Sequence, residues 1–139
     1  MAALTNAFLN ILQAGDEIVA ACGLYGGTVE LFDDLKPFGI SVKYVKENKP
    51  EAFEAEITEK TRIVFAETIG NPKLDVTDIQ AVAEVAHKYD VPLIVDNTVA
   101  TPYLIQPLKL GANIVFIPLP NISMEAAMPS AVFLSVVRI

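Results

Sequence analysis

A short apolar run that ends in an aspartate most constrains how this chain can fold. Three apolar residues follow Pro92 and lead directly into Asp96, after which the sequence turns polar. An apolar run of this length, bounded by proline and by turn residues, is typical of a parallel strand that is covered on both faces. Because α/β folds bind ligands at the carboxyl ends of their strands, Asp96 is predicted to face a ligand site.

Strand patterns and helix patterns alternate along the rest of the chain. Strands are predicted over residues 17–22, 41–45, 62–67, 93–96 and 113–117, and helices over residues 2–14, 29–35, 50–56 and 77–89. Thr77 is the predicted N-cap of the last helix. Strands that alternate with helices form parallel sheets with right-handed crossovers. The predicted fold class is therefore α/β, with three layers around a mainly parallel sheet.

Composition excludes several classes of function. The net charge of -7 and the pI near 4.6 disfavour a nucleic-acid partner. Cys22 is the only cysteine, which excludes a disulfide framework and a zinc site of the usual spacing, so no metal is expected. No apolar stretch reaches about 18 residues and Met1 opens no signal peptide. No membrane partner is predicted, and the expected location is the cytoplasm.

Four motifs follow one another in the first 103 residues. The chain opens with Met-Ala-Ala-Leu, and residues 24–28 read Leu-Tyr-Gly-Gly-Thr. Residues 67–72 read Glu-Thr-Ile-Gly-Asn-Pro, and residues 95–103 read Val-Asp-Asn-Thr-Val-Ala-Thr-Pro-Tyr. In this order, the motifs closely resemble those of the Cys/Met-metabolism pyridoxal-phosphate enzymes, the trans-sulfuration family. The residues of the last two of these motifs are most similar to the O-acetylhomoserine sulfhydrylase branch, and the resemblance covers residues 1–115.

The resemblance implies that residues 1–115 are part of the large cofactor-binding domain of the aminotransferase-like fold, with pyridoxal phosphate (PLP) as cofactor. Asp96 would pair with the pyridine nitrogen of the cofactor and keep it protonated, which makes the ring an electron sink. Tyr25 would stack on the ring and act as the catalytic residue in proton transfer or leaving-group departure. These roles are what the family resemblance implies for the two residues.

Three weaker cofactor contacts are also implied. Asn71 would hydrogen-bond to the 3-oxygen of the cofactor or to the substrate. Thr98 and Met1 would contribute further contacts, Met1 as the remaining part of the family's phosphate-binding loop at a helix N-terminus.

Position alone is compatible with structural roles for the same residues. Asp96 is equally well explained as a capping or turn aspartate. Tyr25 is explained as a half-buried structural tyrosine, and Asn71, which precedes Pro72, as an ordinary turn residue.

The resemblance ends after Val115, where the family continues Val-His-Ser-Ala-Thr-Lys and its lysine forms the Schiff base. Residues 116–123 instead read Phe-Ile-Pro-Leu-Pro-Asn-Ile-Ser, and no lysine follows Lys109. Read one base earlier, the codons allowed for residues 116–133 permit Val-His-Ser-Ala-Thr-Lys-Tyr-Ile and then a Gly-rich stretch that ends Ala-x-Gly-Gly-Val. Residues 116–139 are therefore predicted to be a divergent tail that arose from a single-base frame change.

The implied reaction replaces the acetoxy group of O-acetylhomoserine, a small amino-acid substrate, with sulfide or a thiol to give homocysteine or methionine. Without the lysine, and without the family's N-terminal arm and C-terminal domain, this chain is predicted to be an inactive truncated form. The alternative is a non-catalytic fragment that binds PLP weakly or associates with intact homologues, since the family is homo-oligomeric. A dinucleotide-binding domain is disfavoured because no strand is followed by Gly-x-Gly-x-x-Gly.

Overall fold

The computed structural model describes residues 2–118 and 132–136 of the chain. The elements follow one another as α1 (Ala2–Ile11), β1 (Glu17–Ala20), α2 (Gly26–Leu35), β2 (Ser41–Tyr44), α3 (Pro50–Glu56), β3 (Thr61–Glu67), α4 (Ile79–Lys88), β4 (Leu93–Asp96), α5 (Thr101–Leu104), β5 (Ile114–Pro118) and β6 (Val132–Val136). Short 3-10 turns lie at Lys36–Phe38 and Pro107–Leu110.

The strands form a six-stranded sheet in the order β2-β1-β3-β4-β5-β6. The strands β1 to β5 are parallel, and β6 pairs with β5 in the antiparallel direction. The prediction of an α/β fold with a mainly parallel sheet is therefore confirmed. Because the five parallel strands point the same way, their carboxyl ends meet at one edge of the sheet.

Both faces of the sheet are covered. Successive residues of β3, from Ile63 to Ala66, are fully buried although their side chains point alternately to opposite faces. On one face the ring of Phe65 lies 5.7 Å from that of Phe8 in α1 and 5.4 Å from that of Phe32 in α2. The right-handed crossover rule places α3 and α4 on the other face, where they pack against each other. The aromatic cluster adds about 0.5–1.5 kcal/mol per ring pair beyond its buried area.

Several predicted boundaries differ from the structure. Helix α1 ends at Ile11 rather than at residue 14, and α2 begins at Gly26 rather than at residue 29. The prediction that Thr77 caps α4 is wrong, because the side chain of Asp78 accepts the capping hydrogen bond from the Ala81 N–H. The Thr77 hydroxyl is instead buried and donates to the backbone carbonyl of β3's last residue.

Two elements have no counterpart in the sequence prediction. Helix α5 is a single turn, and β6 is the antiparallel strand at the sheet edge. In the described part of the chain, no helix is long and apolar enough to cross a membrane.

Candidate functional site

Two neighbouring strands each end in a carboxylate at the same edge of the sheet. Glu67 is the last residue of β3 and Asp96 is the last residue of β4, and the two are register partners. Asp96 is also the register partner of Phe116 in the next strand, β5. Adjacent residues on parallel strands point to the same face, so the two carboxyl groups face the same space.

That space is a cavity of about 400 Å³, within the size range of small-molecule sites. The cavity is lined by Leu4, Tyr25, Thr28, Glu67, Ile69, Asn71, Asp96, Thr98, Val99 and Phe116. It brings together four of the five residues singled out from the sequence, although their roles remain predictions. The fifth, Met1, lies outside the residues that the structure describes.

Asp96 is partly desolvated and held by its neighbour. Its Oδ1 accepts a hydrogen bond from the Thr98 backbone N–H at 2.8 Å and another from the Thr98 hydroxyl. Burial raises the pKa of Asp96, while the two Thr98 donors act in the opposite direction. The aspartate thus fills the turn role of the structural alternative, and it also presents a carboxylate that a cation would stabilise.

Glu67 is a site residue that sequence reasoning missed. Its side chain is buried, and its Oε1 accepts a hydrogen bond from the Tyr25 backbone N–H at 2.8 Å. Burial first, and the nearby charge of Asp96 second, raise the pKa of Glu67 to about 7. Hydrogen bonds from the backbone of Tyr25 and Asn71 oppose that rise. The available signal was a second carboxylate at the end of a predicted strand.

Tyr25 precedes α2, exposes 54% of its surface and lines the cavity, which is compatible both with a ligand contact and with a half-buried structural role. Its ring lies against Gly27, where a β-carbon would be only 2.7 Å from the Tyr25 Cε1 atom. Because Gly27 has no side chain, the Tyr25 ring has room to lie at the cavity wall.

Asn71 reaches the cavity from the loop that follows β3. Its backbone N–H donates to the Gly23 carbonyl at 2.9 Å. Gly70 allows this close approach, since a β-carbon there would lie 2.9 Å from the same carbonyl oxygen. The loop that carries Asn71 and the loop that carries Tyr25 are thus joined directly through their backbones.

The side chains of this cavity fit the ring of PLP. Apolar groups from Leu4, Ile69, Val99 and Phe116 form much of the lining. A partly buried carboxylate stands at the end of β4 and an exposed tyrosine precedes α2. This donor set suits a flat aromatic ring that carries a cationic nitrogen. The predicted phosphate contact, Met1, falls outside the described residues.

Comparison with known proteins identifies the family. The sequence signature described as "Cys/Met metabolism PLP-dependent enzyme" matches residues 1–118. The chain belongs to this family. The resemblance inferred from the four motifs is thereby confirmed, and the family uses PLP as its description states.

Relatives within the Cys/Met-metabolism family include O-acetyl-L-homoserine sulfhydrylases. The chain is 53% identical over 110 residues to the enzyme of that name from Leptospira meyeri, covering 78% of this chain and 25% of the relative. It is 52% identical over 116 residues to the enzyme from Corynebacterium glutamicum, covering 82% and 26%. The chain therefore spans about a quarter of the length of these curated relatives.

Solved structures of the Cys/Met-metabolism family share the fold. An O-acetylhomoserine sulfhydrylase from Wolinella succinogenes superposes with a TM-score of 0.80 at 40% identity, covering 84% of this chain and 33% of that one. The match supports the assignment of the sheet and its helices to part of a larger trans-sulfuration fold.

Proposed function

We propose that the cavity binds the ring of PLP and that this chain is the ring-binding part of an enzyme of the O-acetylhomoserine sulfhydrylase type. The observation that carries the proposal is the meeting of Tyr25, Asn71, Asp96 and Thr98 around one cavity. Three of these four residues lie in different loops or strand ends, so their convergence depends on the fold rather than on sequence proximity.

Each residue has a role in this proposal. Asp96 pairs with the protonated ring nitrogen, which compensates the carboxylate for its lost water. Tyr25 lays its exposed ring against the ligand, and the Asn71 side chain offers an amide hydrogen bond. Apolar neighbours such as Val99 exclude water from these contacts. When bound, PLP supplies an electron sink for a carbanion formed on the substrate.

The substrate class follows from the relatives. Because sulfhydrylases of O-acetyl-L-homoserine are 52–53% identical to this chain, the proposed substrate of the whole protein is an O-acylated homoserine, with sulfide or a thiol as the second substrate.

We propose further that this 139-residue chain does not turn over by itself. No lysine follows Lys109, and no cavity-lining residue in the described part of the chain is a lysine. Lys73 lies in the loop after β3, is exposed, and is not among the cavity residues. Cofactor binding by Asp96 and Tyr25 is therefore expected to be reversible and non-covalent.

The second candidate function is association with intact homologues. Exposed apolar side chains support it, since Tyr103 and Leu104 in α5 expose 93% and 72% of their surface and Val76 exposes 73%. Tyr103 and Leu104 are neighbours in one helical turn, and exposed apolar groups that lie together favour contact with another protein surface. Co-purification of the tagged chain with a full-length sulfhydrylase, compared with a Tyr103→Ser, Leu104→Ser double variant, distinguishes this function from simple cofactor binding.

Equilibrium dialysis with PLP tests the cofactor proposal. We expect Asp96→Asn to weaken binding at least about 10-fold, because it removes the charge partner of the ring nitrogen. Asp34→Asn, at an exposed position of α2, is the matched control and should leave binding unchanged. Equal affinity of the wild-type protein and Asp96→Asn would contradict the proposal.

Covalent attachment is tested separately. The PLP-loaded protein is treated with borohydride and examined by mass spectrometry. Any pyridoxyl labelling of the wild-type protein should also be found in Lys73→Ala. A specific, stoichiometric adduct on any lysine would overturn the non-covalent part of the proposal.

A further inference from the structure

Glu67 is a buried titratable group that the proposed function leaves without a role. Only 5% of its surface is exposed, although it is a carboxylic acid at the wall of a cavity. Acidic residues are almost never buried to this extent unless a partner compensates them. Glu67 is therefore expected to be protonated or to have a compensating partner.

The carboxyl group of Glu67 lies among three segments and is hydrogen-bonded to one of them. It belongs to the end of β3, and it accepts the Tyr25 backbone N–H from the loop before α2. The Asn71 backbone N–H, from the loop after β3, donates its hydrogen bond to the Gly23 carbonyl and lies near enough to lower the pKa of Glu67. The same two loops are tied by the hydrogen bond from the Asn71 N–H to the Gly23 carbonyl. Glu67 thus lies where the two walls that carry Tyr25 and Asn71 meet.

The charges around Glu67 are unbalanced. The titratable residues that line the cavity are Tyr25, Glu67 and Asp96, and the described lining includes no lysine or arginine. Two carboxylates that share a poorly solvated space do not both ionise easily. Thr98 donates two hydrogen bonds to Asp96, whereas Glu67 accepts one from the Tyr25 N–H, so the geometry favours the proton of the pair on Glu67.

We propose that Glu67 is the positioning residue of this cavity: it fixes the Tyr25 and Asn71 walls and carries one proton that it releases when a cationic aromatic ring pairs with Asp96. The release breaks the O–H bond of the Glu67 carboxyl group and delivers the proton to solvent, and no other bond changes. A positive charge beside Asp96 cancels the repulsion that kept Glu67 protonated. The ionised Glu67 then accepts the Tyr25 N–H more strongly, which tightens the Tyr25 wall and, through the bond between the two loops, the Asn71 wall.

The carboxyl pair can be tested without any ligand. Titration of the 139-residue chain labelled with ¹³C at glutamate carboxyl groups should show one signal with a midpoint near pH 7 that Glu67→Gln removes. Asp96→Asn should move that midpoint to lower pH, because it removes the neighbouring negative charge. Asp34→Asn should leave it in place. A midpoint that Asp96→Asn does not move would overturn the pairing.

Proton release upon ligand binding rests on the proposed function and needs PLP as the probe. Calorimetric titrations at pH 6 in two buffers of different ionisation enthalpy count the protons released per bound PLP. We expect the wild-type protein to release up to one proton more than Glu67→Gln, which keeps a side-chain oxygen for the Tyr25 N–H and should bind within a few-fold. Glu67→Leu, which loses that acceptor, should bind at least several-fold more weakly than Glu67→Gln.

The two experiments separate the possible failures. Equal proton release by the wild-type protein and Glu67→Gln would overturn the proton role of Glu67, and equal binding by Glu67→Leu and Glu67→Gln would overturn its positioning role. If PLP binds to none of the folded variants, the proposed function is wrong and proton release falls with it, while the ligand-free titration still decides whether Glu67 and Asp96 form a pair.

Discussion

The aromatic ring of Tyr25 occupies the space that a side chain at Gly27 would need. A β-carbon at Gly27 would lie 2.7 Å from Cε1 and 3.3 Å from Cδ1 of that ring. The ring is the mobile end of a flexible side chain, so it can give way where a backbone could not. A substitution at Gly27 should therefore change the position of Tyr25 rather than break the fold.

Gly27→Ala is expected to weaken PLP binding several-fold while leaving stability within about 1 kcal/mol of the wild-type protein, because alanine favours helix α2 by a similar amount. Gly26→Ala is the matched control, since a β-carbon at Gly26 meets nothing within 4 Å. Equilibrium dialysis and urea unfolding measure the two effects. Equal binding by both variants would show that the place of the Tyr25 ring does not matter for the ligand.

Thr77→Val is expected to destabilise the protein by about 1–3 kcal/mol, because it leaves the buried backbone carbonyl of Glu67 without the 2.8 Å hydrogen bond from the Thr77 hydroxyl. Thr77→Ser keeps the hydroxyl and should retain most of the stability. Urea unfolding followed by circular dichroism gives both values. Equal losses in the two variants would assign the effect to packing of the threonine methyl group instead.

The free energy of unfolding should depend on pH through the titration of Glu67. Its pKa of about 7 in the folded protein lies above the usual value of about 4.3 in an unfolded chain. Folding therefore favours the protonated form of Glu67. The stabilisation that results is fully present below about pH 4 and is lost as the pH rises through 7. Between pH 5 and pH 8, the free energy of unfolding should fall more in the wild-type protein than in Glu67→Gln, by an amount on the order of 2 kcal/mol. Parallel pH profiles of the two proteins would contradict the raised pKa.

The DNA that encodes residues 113–139 should contain a second open frame. The family signature ends at residue 118, and the frame change after Val115 stays a prediction from the sequence. Resequencing should show that the frame one base earlier reads Val-His-Ser-Ala-Thr-Lys and then a Gly-rich segment. Stop codons or unrelated residues in that frame would make residues 116–139 a genuine divergence of this chain.

Local patterns were sufficient to predict much of the fold. The apolar run before Asp96 predicted a buried strand with a carboxylate at its end, and β4 has those bounds. The period of apolar residues predicted α4, although neighbouring residues compete for its cap. Asp78 and Thr77 are both good capping residues, and only the position of the β3 carbonyl decides that Thr77 turns inward.

The part of the site that sequence reasoning missed depends on contacts between distant residues. Glu67 and Asp96 are 29 positions apart, and nothing in either segment states that β3 and β4 are neighbours in register. The buried state of Glu67 and its hydrogen bond to Tyr25 follow from that pairing and from the close approach at Gly70. Motif resemblance predicted Tyr25, Asn71, Asp96 and Thr98 as cofactor contacts. It contains no information on the charge state of Glu67.

The walls of the cavity come from distant parts of the chain. They include α1, the loop before α2, the end of β3, the end of β4 and β5, as in Leu4, Tyr25, Glu67, Asp96 and Phe116. A ligand that fills such a cavity binds only the fully assembled sheet, and it therefore stabilises the native state by mass action. The melting temperature at increasing ligand concentration thus reports on occupancy, and a substitution that loosens the pairing of distant strands weakens binding without touching the ligand.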